Sequence, residues 1–362
     1  MRSKGLPQIL RCAQHDMSRG LFHGKAILPA HLARFSTLKS HMKGTVAMTP
    51  TSERTLEEKL AAIAAHFDLG KVQSYERAPG TNDNYFVTTE QGDYLFKLIV
   101  NTTLEDILQG LPFLQRLQEH AYSATAYYLT SSSGEPFYHS PDCDAVVLPH
   151  LPGSMADLSP AVCHEVGIAL AQLHMVPYDN LPQKRHWLDA RYLPEAIEAA
   201  VKIHGAEQLH ETLSVFRSLA SFQPATFPPS IIHGDLDTTN CLFAGEQLVA
   251  FVDWQEIGVS AALMDFAQTV IGFCFVNQDE DSDYWALFDP ELYRALYGGY
   301  TSVRPFSQYE REHLNDALKY VGLTQPVWSM LMWEHYHPGE QMVETNLLYW
   351  KFGLDKLTLP VF

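Results

Sequence analysis

Two short stretches of this chain carry side chains whose types and spacing could do chemistry. The first is the octapeptide HGDLDTTN at 233–240, and the second is the tripeptide VDW at 252–254. Each follows an apolar run with strand character, so Asp235 and Asp253 are expected just beyond two strand ends, where their carboxylates can converge. Converging carboxylates suit phosphoryl transfer, because an attacking alcohol needs a proton acceptor and a leaving nucleotide needs divalent cations held by oxygen ligands.

The polar residues of these stretches fit those needs one by one. Asp235 is the predicted proton acceptor, and Asn240 and Asp253 are the predicted Mg²⁺ ligands. Asn240 follows Asp235 by five residues, the separation found in kinase catalytic loops, and its neutral amide oxygen adds no charge beside the phosphates. The alternative is a turn whose polar side chains cap their own backbone. A chance turn would not predict the downstream apolar strand that ends in Asp253.

Taken together, the octapeptide and the tripeptide resemble the aminoglycoside phosphotransferase and choline kinase branch of the protein-kinase-like fold. Further stretches look like one member of that branch, type II homoserine kinase: GTNDNYFVTTEQGDYLFKL (80–98), LPFLQRLQEH (111–120), LPG (151–153), VGIALAQLH (166–174) and GGYTSVRPFSQYERE (298–312). The resemblance implies an ATP- and Mg²⁺-dependent kinase that phosphorylates an alcohol group. L-Homoserine, which is phosphorylated in threonine biosynthesis, is the best specific acceptor.

The resemblance also implies an α+β, two-lobed fold of protein-kinase type. We expect a β-rich N-terminal lobe at 49–150 and a mainly helical C-terminal lobe at 151–362, which holds the catalytic loop and the acceptor site. In the first lobe, a helix capped by Thr51 or Ser52 precedes strands at 71–77, 84–89 and 94–100. In the second, apolar periods predict helices at 159–175, 191–201, 205–221, 291–301, 307–321 and 325–350.

A nucleotide site is predicted in the first lobe. Its residues are Gly80, Asn82, Asn84, Lys97, Pro149 and Leu151. The first three occupy the place of a phosphate loop, although a lone glycine before polar residues also marks ordinary turns. Lys97 alternates with apolar neighbours in YLFKLIV and is expected to meet the α- and β-phosphates; the alternative is an edge-strand lysine that points to water. The last two mark a hinge whose backbone faces an adenine edge.

The acidic partner of Lys97 is left open by the sequence. Homoserine kinases commonly carry Glu directly before the LPF stretch, whereas this chain has Gly110. Glu105 and Asp106 lie about one helical turn earlier, and Glu119 is the other candidate.

The spacing after Asp253 limits the class of acceptor. Asp265 follows it by only twelve residues, which leaves no room for the long activation segment with which protein kinases support a peptide. A small-molecule acceptor is therefore expected. By resemblance Asp265 braces the catalytic loop, and His233 is predicted to be a packed structural histidine, because the adjacent Asp235 is already placed to accept the proton.

The identity of the acceptor depends on charged and aromatic side chains. Homoserine would need an acid for its ammonium group, with Asp237 and Glu256 as candidates, and a cation for its carboxylate, with Arg304 as the candidate. Aromatic residues could instead form a cage for a choline-like cation: Trp254, Tyr284, Trp285, Trp328, Trp333 and Tyr336. Ethanolamine, methylthioribose or aminoglycoside kinases and a regulatory pseudokinase are the remaining alternatives.

Composition excludes several classes of partner. The chain has 25 Lys and Arg residues against 42 Asp and Glu, a net charge of −17. Such an acidic protein repels nucleic acid and anionic membranes, so neither is expected as a partner. No uninterrupted apolar run of about 18 residues predicts a transmembrane helix. Five cysteines without a C-x-x-C pair argue against a disulfide framework and a zinc ribbon, so a reducing cytoplasm is the expected location.

Residues 1–48 differ in charge from the rest of the chain. They contain eight Lys or Arg residues and one acidic residue, Asp16. The segment has neither a sustained apolar period nor a signal-peptide core, so we expect a disordered extension. A transit peptide and a misassigned start upstream of Met48 are the alternatives.

Overall fold

The computed structural model of the chain describes residues 54–78, 83–100, 103–184, 186–278, 282–360 and 362. The predicted extension at 1–48 and two predicted phosphate-loop residues, Gly80 and Asn82, lie outside these ranges. The chain divides into two compact units. The sheet unit comprises the described residues up to Gln109 together with Ala126–Leu151, and the helical unit comprises Gly110–Thr125 and Pro152–Phe362.

Helix α1 (Leu56–His66) begins the sheet unit with a reciprocal capping box. The Glu58 N–H donates to Thr55 Oγ1 at 3.3 Å, and the Thr55 N–H donates to the Glu58 carboxylate at 2.7 Å. The prediction that Thr51 or Ser52 caps this helix was wrong. The Thr-x-x-Glu pairing satisfies two N–H groups that helix geometry leaves unpaired, which fixes the start of the helix at this later threonine.

A five-stranded antiparallel sheet with the order β1-β2-β3-β5-β4 forms the body of the sheet unit. Its strands are β1 (Val72–Arg77), β2 (Asp83–Thr89), β3 (Gly92–Leu98), β4 (Tyr138–Ser140) and β5 (Cys143–Pro149), and helix α2 (Leu104–Glu119) follows β3. The three strands predicted from alternating apolar residues are confirmed. Val87, Phe96 and Val147 from neighbouring strands pack with Leu60 and Ile63 of α1 in one apolar core.

Helices dominate the remainder of the described chain. They are α3 (Pro160–His174), α4 (Tyr192–His204), α5 (His210–Ser218), α6 (Ala262–Phe273), α7 (Pro290–Val303), α8 (Gln308–Glu312), α9 (Leu314–Leu331), α10 (Trp333–Tyr336) and α11 (Leu348–Lys351). Three short antiparallel strand pairs accompany them: β6 (Pro229–Ile232) with β9 (Gly258–Ala261), β7 (Cys241–Ala244) with β8 (Gln247–Phe251), and β10 (Phe275–Asn277) with β11 (Ala286–Phe288). Within the described ranges, no helix is both long and apolar enough to cross a membrane.

The helix predicted at 325–350 was wrong, whereas those at 159–175, 191–201 and 291–301 are confirmed. Helix α9 continues through Pro326, and the chain leaves helical geometry at His337, which has φ −132° and ψ 60°. The cause is local. A residue that precedes proline, here Pro338, is disfavoured in the α region, and Gly339 then adopts a φ of 77°.

His186 supports the β6–β9 pair from a buried position. Its Nε2–H donates to the Val259 carbonyl at 3.0 Å, and burial lowers the pKa of its imidazole to about 4. A folded-state pKa below the ordinary value means that the unfolded chain binds the proton more tightly. The contribution of the neutral ring to stability is therefore complete above the unfolded pKa of about 6.5 and is lost as the pH falls towards 4.

We therefore expect His186→Gln to remove part of the acid sensitivity of folding. Between pH 7 and pH 5, the wild-type free energy of unfolding should fall by about 2 kcal/mol more than that of the variant. Urea unfolding of both proteins at the two pH values measures this difference, and the other buried histidines cancel in the comparison. Parallel pH profiles would contradict the assignment.

Candidate active site

The loop between β6 and β7 carries the octapeptide and begins with a left-handed turn. Gly234 has a φ of 86°, and a Cβ at this position would lie 2.7 Å from the Glu256 carbonyl oxygen. Only glycine combines this dihedral angle with this close approach. The turn places the next residue, Asp235, in the interior, where the residue is 9% exposed.

Asp235 and Asn240 form a hydrogen-bonded pair. The Asn240 Nδ2 group donates to the Asp235 carbonyl at 2.7 Å and to Asp235 Oδ2 at 3.0 Å. Asp237 shapes the five-residue interval: its Oδ1 accepts from the backbone N–H groups of Thr239 at 2.7 Å and Asn240 at 3.2 Å, and so caps the single 3₁₀ turn at 238–240. These hydrogen bonds thus fix the positions of Asp235 and Asn240 relative to each other.

Buried hydrogen bonds from Asp265 and His233 hold the backbone of this loop. Asp265 Oδ2 accepts from the His233 N–H and Oδ1 accepts from the Gly234 N–H, both at 2.9 Å. The neutral His233 ring donates from Nε2 to the Val252 carbonyl at 3.0 Å and accepts the Asp235 N–H on Nδ1 at 3.3 Å. Burial lowers the pKa of His233, which keeps this tautomer uncharged. Both residues have the bonding that their predicted supporting role requires.

Asp253 occupies a special backbone position directly after β8. It has φ 61° and ψ 63°, in the left-handed region that Asp and Asn enter more easily than other side-chain-bearing residues. The neighbouring Val252 N–H donates to the Asn240 carbonyl at 2.9 Å. That bond brings the two predicted metal ligands, which are thirteen positions apart in the sequence, to the same end of the β7–β8 pair.

Four acidic side chains meet in this region. Burial, and then the charges of Asp237, Glu256 and Asp253, raise the pKa of Asp235 well above its usual value. Glu256 is itself buried, in the 3₁₀ turn that follows Asp253. Because a group of like charges in the interior is costly, the arrangement suits a site that receives cationic groups.

The donor set fits one divalent cation shared with a nucleotide. Asn240 uses its amide nitrogen on Asp235, which leaves its amide oxygen to act as a ligand together with the Asp253 carboxylate. In the part of the chain that the structure describes, no group of three or more His, Cys, Asp or Glu residues could hold a metal. Mg²⁺ is commonly bound by one or two protein oxygens while phosphate oxygens and water complete its octahedron, so these residues fit it.

Four of the six residues predicted to bind the nucleotide lie in described parts of the sheet unit: Asn84, Lys97, Pro149 and Leu151. Lys97 is buried, 8% exposed, on β3 between Phe96 and Leu98, and its strand partners are Asn84 on β2 and Val146 on β5. Asn84, a predicted phosphate-loop residue, thus lies directly across the sheet from Lys97. Pro149 ends β5 opposite Tyr94, and Leu151 follows it as a half-buried residue.

Gly110 occupies a position with little room for a side chain. A Cβ there would lie 3.3 Å from Ile257 Cγ2, so the glutamate common in homoserine kinases would require movement of this isoleucine. Asp106 closes a capping interaction with Thr103, whose hydroxyl donates to its Oδ2 at 2.6 Å. Glu119 accepts from Arg116 at 3.2 Å. These contacts give the alternative acids local roles, and the partner of Lys97 stays open.

Arg304 directly follows helix α7, and its side chain forms two hydrogen bonds. Its Nη2 donates to Glu310 Oε1 at 2.8 Å, and its Nη1 donates to the Tyr300 hydroxyl at 3.2 Å. Both partners are buried. An arginine engaged in this way has less of its charge to offer a substrate carboxylate, so its assignment to the acceptor site stays a prediction.

The sequence patterns did not identify two polar residues that form hydrogen bonds near the catalytic loop. Lys184 donates from Nζ to the Gln255 carbonyl at 2.6 Å, two residues after Asp253. His174, at the end of the VGIALAQLH stretch, bonds to Asp265 at 3.1 Å. The lysine lies in a loop without a recognisable spacing, whereas the histidine ends one of the stretches that resemble homoserine kinase. Of the aromatic candidates, Trp254 is 6% exposed and packs on the His233 ring, with centroids 4.5 Å apart.

Comparison with known proteins gives consistent results. A model of the phosphotransferase enzyme family (APH) matches residues 75–306. Homoserine kinase from Ralstonia pickettii is 29% identical over 313 residues, which covers 81% of this chain and 89% of that protein. Homoserine kinase from Burkholderia thailandensis is 30% identical over 279 residues, which covers 72% of this chain and 81% of that protein. These matches confirm the resemblance that the sequence motifs indicated.

A solved structure extends the comparison to the fold. Amicoumacin kinase hAmiN, determined in complex with AMP-PNP, Ca²⁺ and Ami, superimposes with a TM-score of 0.62 at 14% identity, and the match covers 84% of this chain and 98% of that one. The likeness confirms the predicted α+β fold of protein-kinase type.

Proposed function

Because the chain belongs to the phosphotransferase enzyme family, we propose that it is an ATP-dependent homoserine kinase, which converts L-homoserine to O-phospho-L-homoserine. One observation carries this choice of acceptor. Homoserine kinases match the chain at 28–30% identity over 72–81% of its length. The hydrogen-bonded pair of Asp235 and Asn240 supplies the geometry that such a transfer needs.

In the proposed reaction, the hydroxyl oxygen of homoserine attacks the γ-phosphorus of ATP. The new oxygen–phosphorus bond forms as the bond to the β–γ bridging oxygen breaks, and ADP departs with that electron pair. The hydroxyl proton passes to the Asp235 carboxylate, which Asn240 Nδ2 holds in place at 3.0 Å. The backbone bonds to Asp265 keep the loop from shifting as the proton arrives.

Asn240 and Asp253 would hold Mg²⁺, which when bound supplies positive charge to the phosphates. Their own contribution is placement. The amide of Asn240 is oriented by its bonds to Asp235, and the carboxylate of Asp253 is directed by a left-handed backbone position. A shift of either oxygen would misplace the nucleotide relative to Asp235.

The acidic character of the site supports an acceptor with an ammonium group. Asp237 uses Oδ1 for the 3₁₀ turn, and we propose that its other oxygen and the Glu256 carboxylate attract the α-ammonium group of homoserine. Both acids already interact electrostatically with Asp235, so a cation at this point would also relieve their mutual repulsion.

A panel of acceptors tests the proposal. Purified protein with ATP and Mg²⁺ should turn over L-homoserine with a kcat/KM about a hundredfold or more above that for choline, ethanolamine, methylthioribose or an aminoglycoside. The reason is that none of these competitors carries the α-ammonium and carboxylate groups of homoserine in the same arrangement. ADP release in a coupled assay gives the rates, and phosphorus NMR of the product identifies the phosphate ester.

Two analogues of homoserine form matched controls within the same assay. 4-Hydroxybutanoate lacks the ammonium group, and 3-aminopropan-1-ol lacks the carboxylate. The first analogue loses the charge-assisted contact of about 1.5–3 kcal/mol with the two acids, so its kcat/KM should fall roughly ten- to a hundredfold. The second keeps that contact, so its kcat/KM measures recognition of the carboxylate separately. Preference for another acceptor would assign the protein to a different kinase of the family, and ATP binding without any turnover would make it a pseudokinase.

A further inference from the structure

An unbroken chain of hydrogen bonds leads from the catalytic loop to helix α8. Asp265, which holds the loop backbone, bonds to His174 Nε2 at 3.1 Å, and His174 Nδ1 bonds to the Tyr300 hydroxyl at 2.7 Å. Arg304 Nη1 reaches the same hydroxyl at 3.2 Å, and its Nη2 reaches Glu310 at 2.8 Å. The five side chains come from three separate parts of the sequence: His174 ends α3, Asp265 lies on α6, and the other three lie between 300 and 310.

Between Arg304 and Asp265, the donors of these hydrogen bonds all point towards the catalytic loop. The Arg304 N–H donates to the Tyr300 oxygen, which leaves the Tyr300 O–H to donate to His174 Nδ1. The histidine must then carry its proton on Nε2, where it donates to the Asp265 carboxylate. Arg304 has no acceptor, so the direction is fixed from that end. Burial lowers the pKa of His174, in keeping with a neutral ring that accepts on one nitrogen and donates from the other.

Packing holds the side chains of these hydrogen bonds in place. Asp265, Tyr300 and the side chain of His174 are completely buried, and Glu310 is 2% exposed. A Cβ on Gly299 would lie 2.1 Å from the His164 carbonyl oxygen, so glycine permits helices α3 and α7 to approach closely. The Tyr300 ring stacks on Phe306 with centroids 4.7 Å apart and an interplanar angle of 14°.

We propose that Tyr300 and Arg304 are positioning residues for phosphoryl transfer. They hold the His174 ring where its Nε2–H donates to Asp265, and Asp265 in turn fixes the His233 and Gly234 backbone beside Asp235. This inference rests on the proposed function of the loop. It assigns to Arg304 an action through the loop, in place of direct contact with the carboxylate of the acceptor.

The physical consequence of breaking the chain is specific. Without the Tyr300 hydroxyl, the buried Nδ1 of His174 has no hydrogen-bond donor, and the bond from Nε2 to Asp265 alone orients the ring. The ring can then tilt, because the hydrogen bond that holds its opposite side is gone. Asp265 would follow that movement, and the loop bonded to it would lose the alignment that transfer requires.

Tyr300→Phe tests this directly, because it removes one oxygen atom and keeps the stacked ring. We expect kcat to fall about tenfold, with the KM values for ATP and acceptor changed less than about twofold. Tyr293→Phe is the matched control: Tyr293 is also fully buried on α7, and its hydroxyl has no hydrogen-bond partner among the described residues. That variant should keep the wild-type kcat. Melting temperatures of both variants show whether the fold is intact.

Arg304→Lys provides the second measurement. It keeps a positive charge for the buried Glu310 carboxylate but gives up the planar pair of donors that serves Tyr300 and Glu310 together. If Arg304 acts through these hydrogen bonds, Arg304→Lys should lower kcat and leave the acceptor KM unchanged. The double variant with Tyr300→Phe should be no slower than Tyr300→Phe alone, since both changes interrupt one path.

The outcomes separate this inference from the proposed function. Wild-type kcat in Tyr300→Phe, or a raised acceptor KM with unchanged kcat in Arg304→Lys, would overturn the positioning role. If the wild-type protein prefers an acceptor other than L-homoserine, the proposed function fails. The kcat values of the same variants are then measured with that acceptor, and their rates of slow ATP hydrolysis are measured without it. With that acceptor, a kcat loss in Tyr300→Phe and Arg304→Lys but not in Tyr293→Phe would still support the positioning role.

Discussion

Replacement of Asp235 by Asn should lower kcat by about a thousandfold and leave the nucleotide bound. The amide has nearly the same shape as the carboxylate, and its oxygen can still accept the Asn240 Nδ2 hydrogen bond that Asp235 Oδ2 accepts at 3.0 Å. The loop should therefore keep its conformation. What is lost is the proton acceptor, and removal of a well-placed general base costs roughly 100- to 10,000-fold in rate.

Three measurements check this result. Steady-state kinetics give kcat, calorimetry with a non-hydrolysable ATP analogue gives nucleotide affinity, and thermal unfolding confirms that the variant is folded. Asp289→Asn is a suitable control, because Asp289 caps helix α7 through bonds that asparagine can also accept. Retention of more than about a tenth of the wild-type kcat in Asp235→Asn would remove Asp235 from its proposed role.

Asp253→Asn should weaken Mg²⁺-dependent ATP binding about a hundredfold. The substitution takes one negative charge from the proposed metal site, and a charge-assisted contact of roughly 1.5–3 kcal/mol is lost. Asparagine is the correct replacement here because Asp253 has φ 61° and ψ 63°. Asn tolerates that left-handed conformation, whereas alanine would add about 1 kcal/mol of backbone strain and confuse a folding effect with a binding effect.

The Mg²⁺ dependence of ATP affinity is the decisive quantity for Asp253. Titrations of ATP analogue at several Mg²⁺ concentrations should show a strong rise in wild-type affinity and a much weaker rise in Asp253→Asn. Asp253→Ala should show the same loss of Mg²⁺ dependence together with a lower melting temperature. Equal Mg²⁺ dependence in wild type and Asp253→Asn would exclude this carboxylate as a ligand.

Local patterns in the sequence determined the outline of this protein. The Asp-x-x-x-x-Asn spacing, the apolar runs that lead into it and the second Asp indicated phosphoryl transfer, because the groups that act lie within one short segment of the chain, 235–253. Strand alternation likewise located β1, β2 and β3, since side-chain direction in a strand repeats every two residues. The family was indicated by motifs that occur in the same order along the chain as in homoserine kinases.

Only the tertiary structure decided which distant groups meet. Nothing in the sequence near Asp265 indicates that His174, 91 positions away, would be its partner, or that Tyr300 would complete the imidazole on its other side. Arg304 illustrates the same limit. A sequence shows that a cation is present, but the burial of Glu310 and the approach of α7 to α3 decide what that cation bonds to. These contacts arise from helix packing, whose geometry depends on many side chains together and leaves no short-range pattern to recognise.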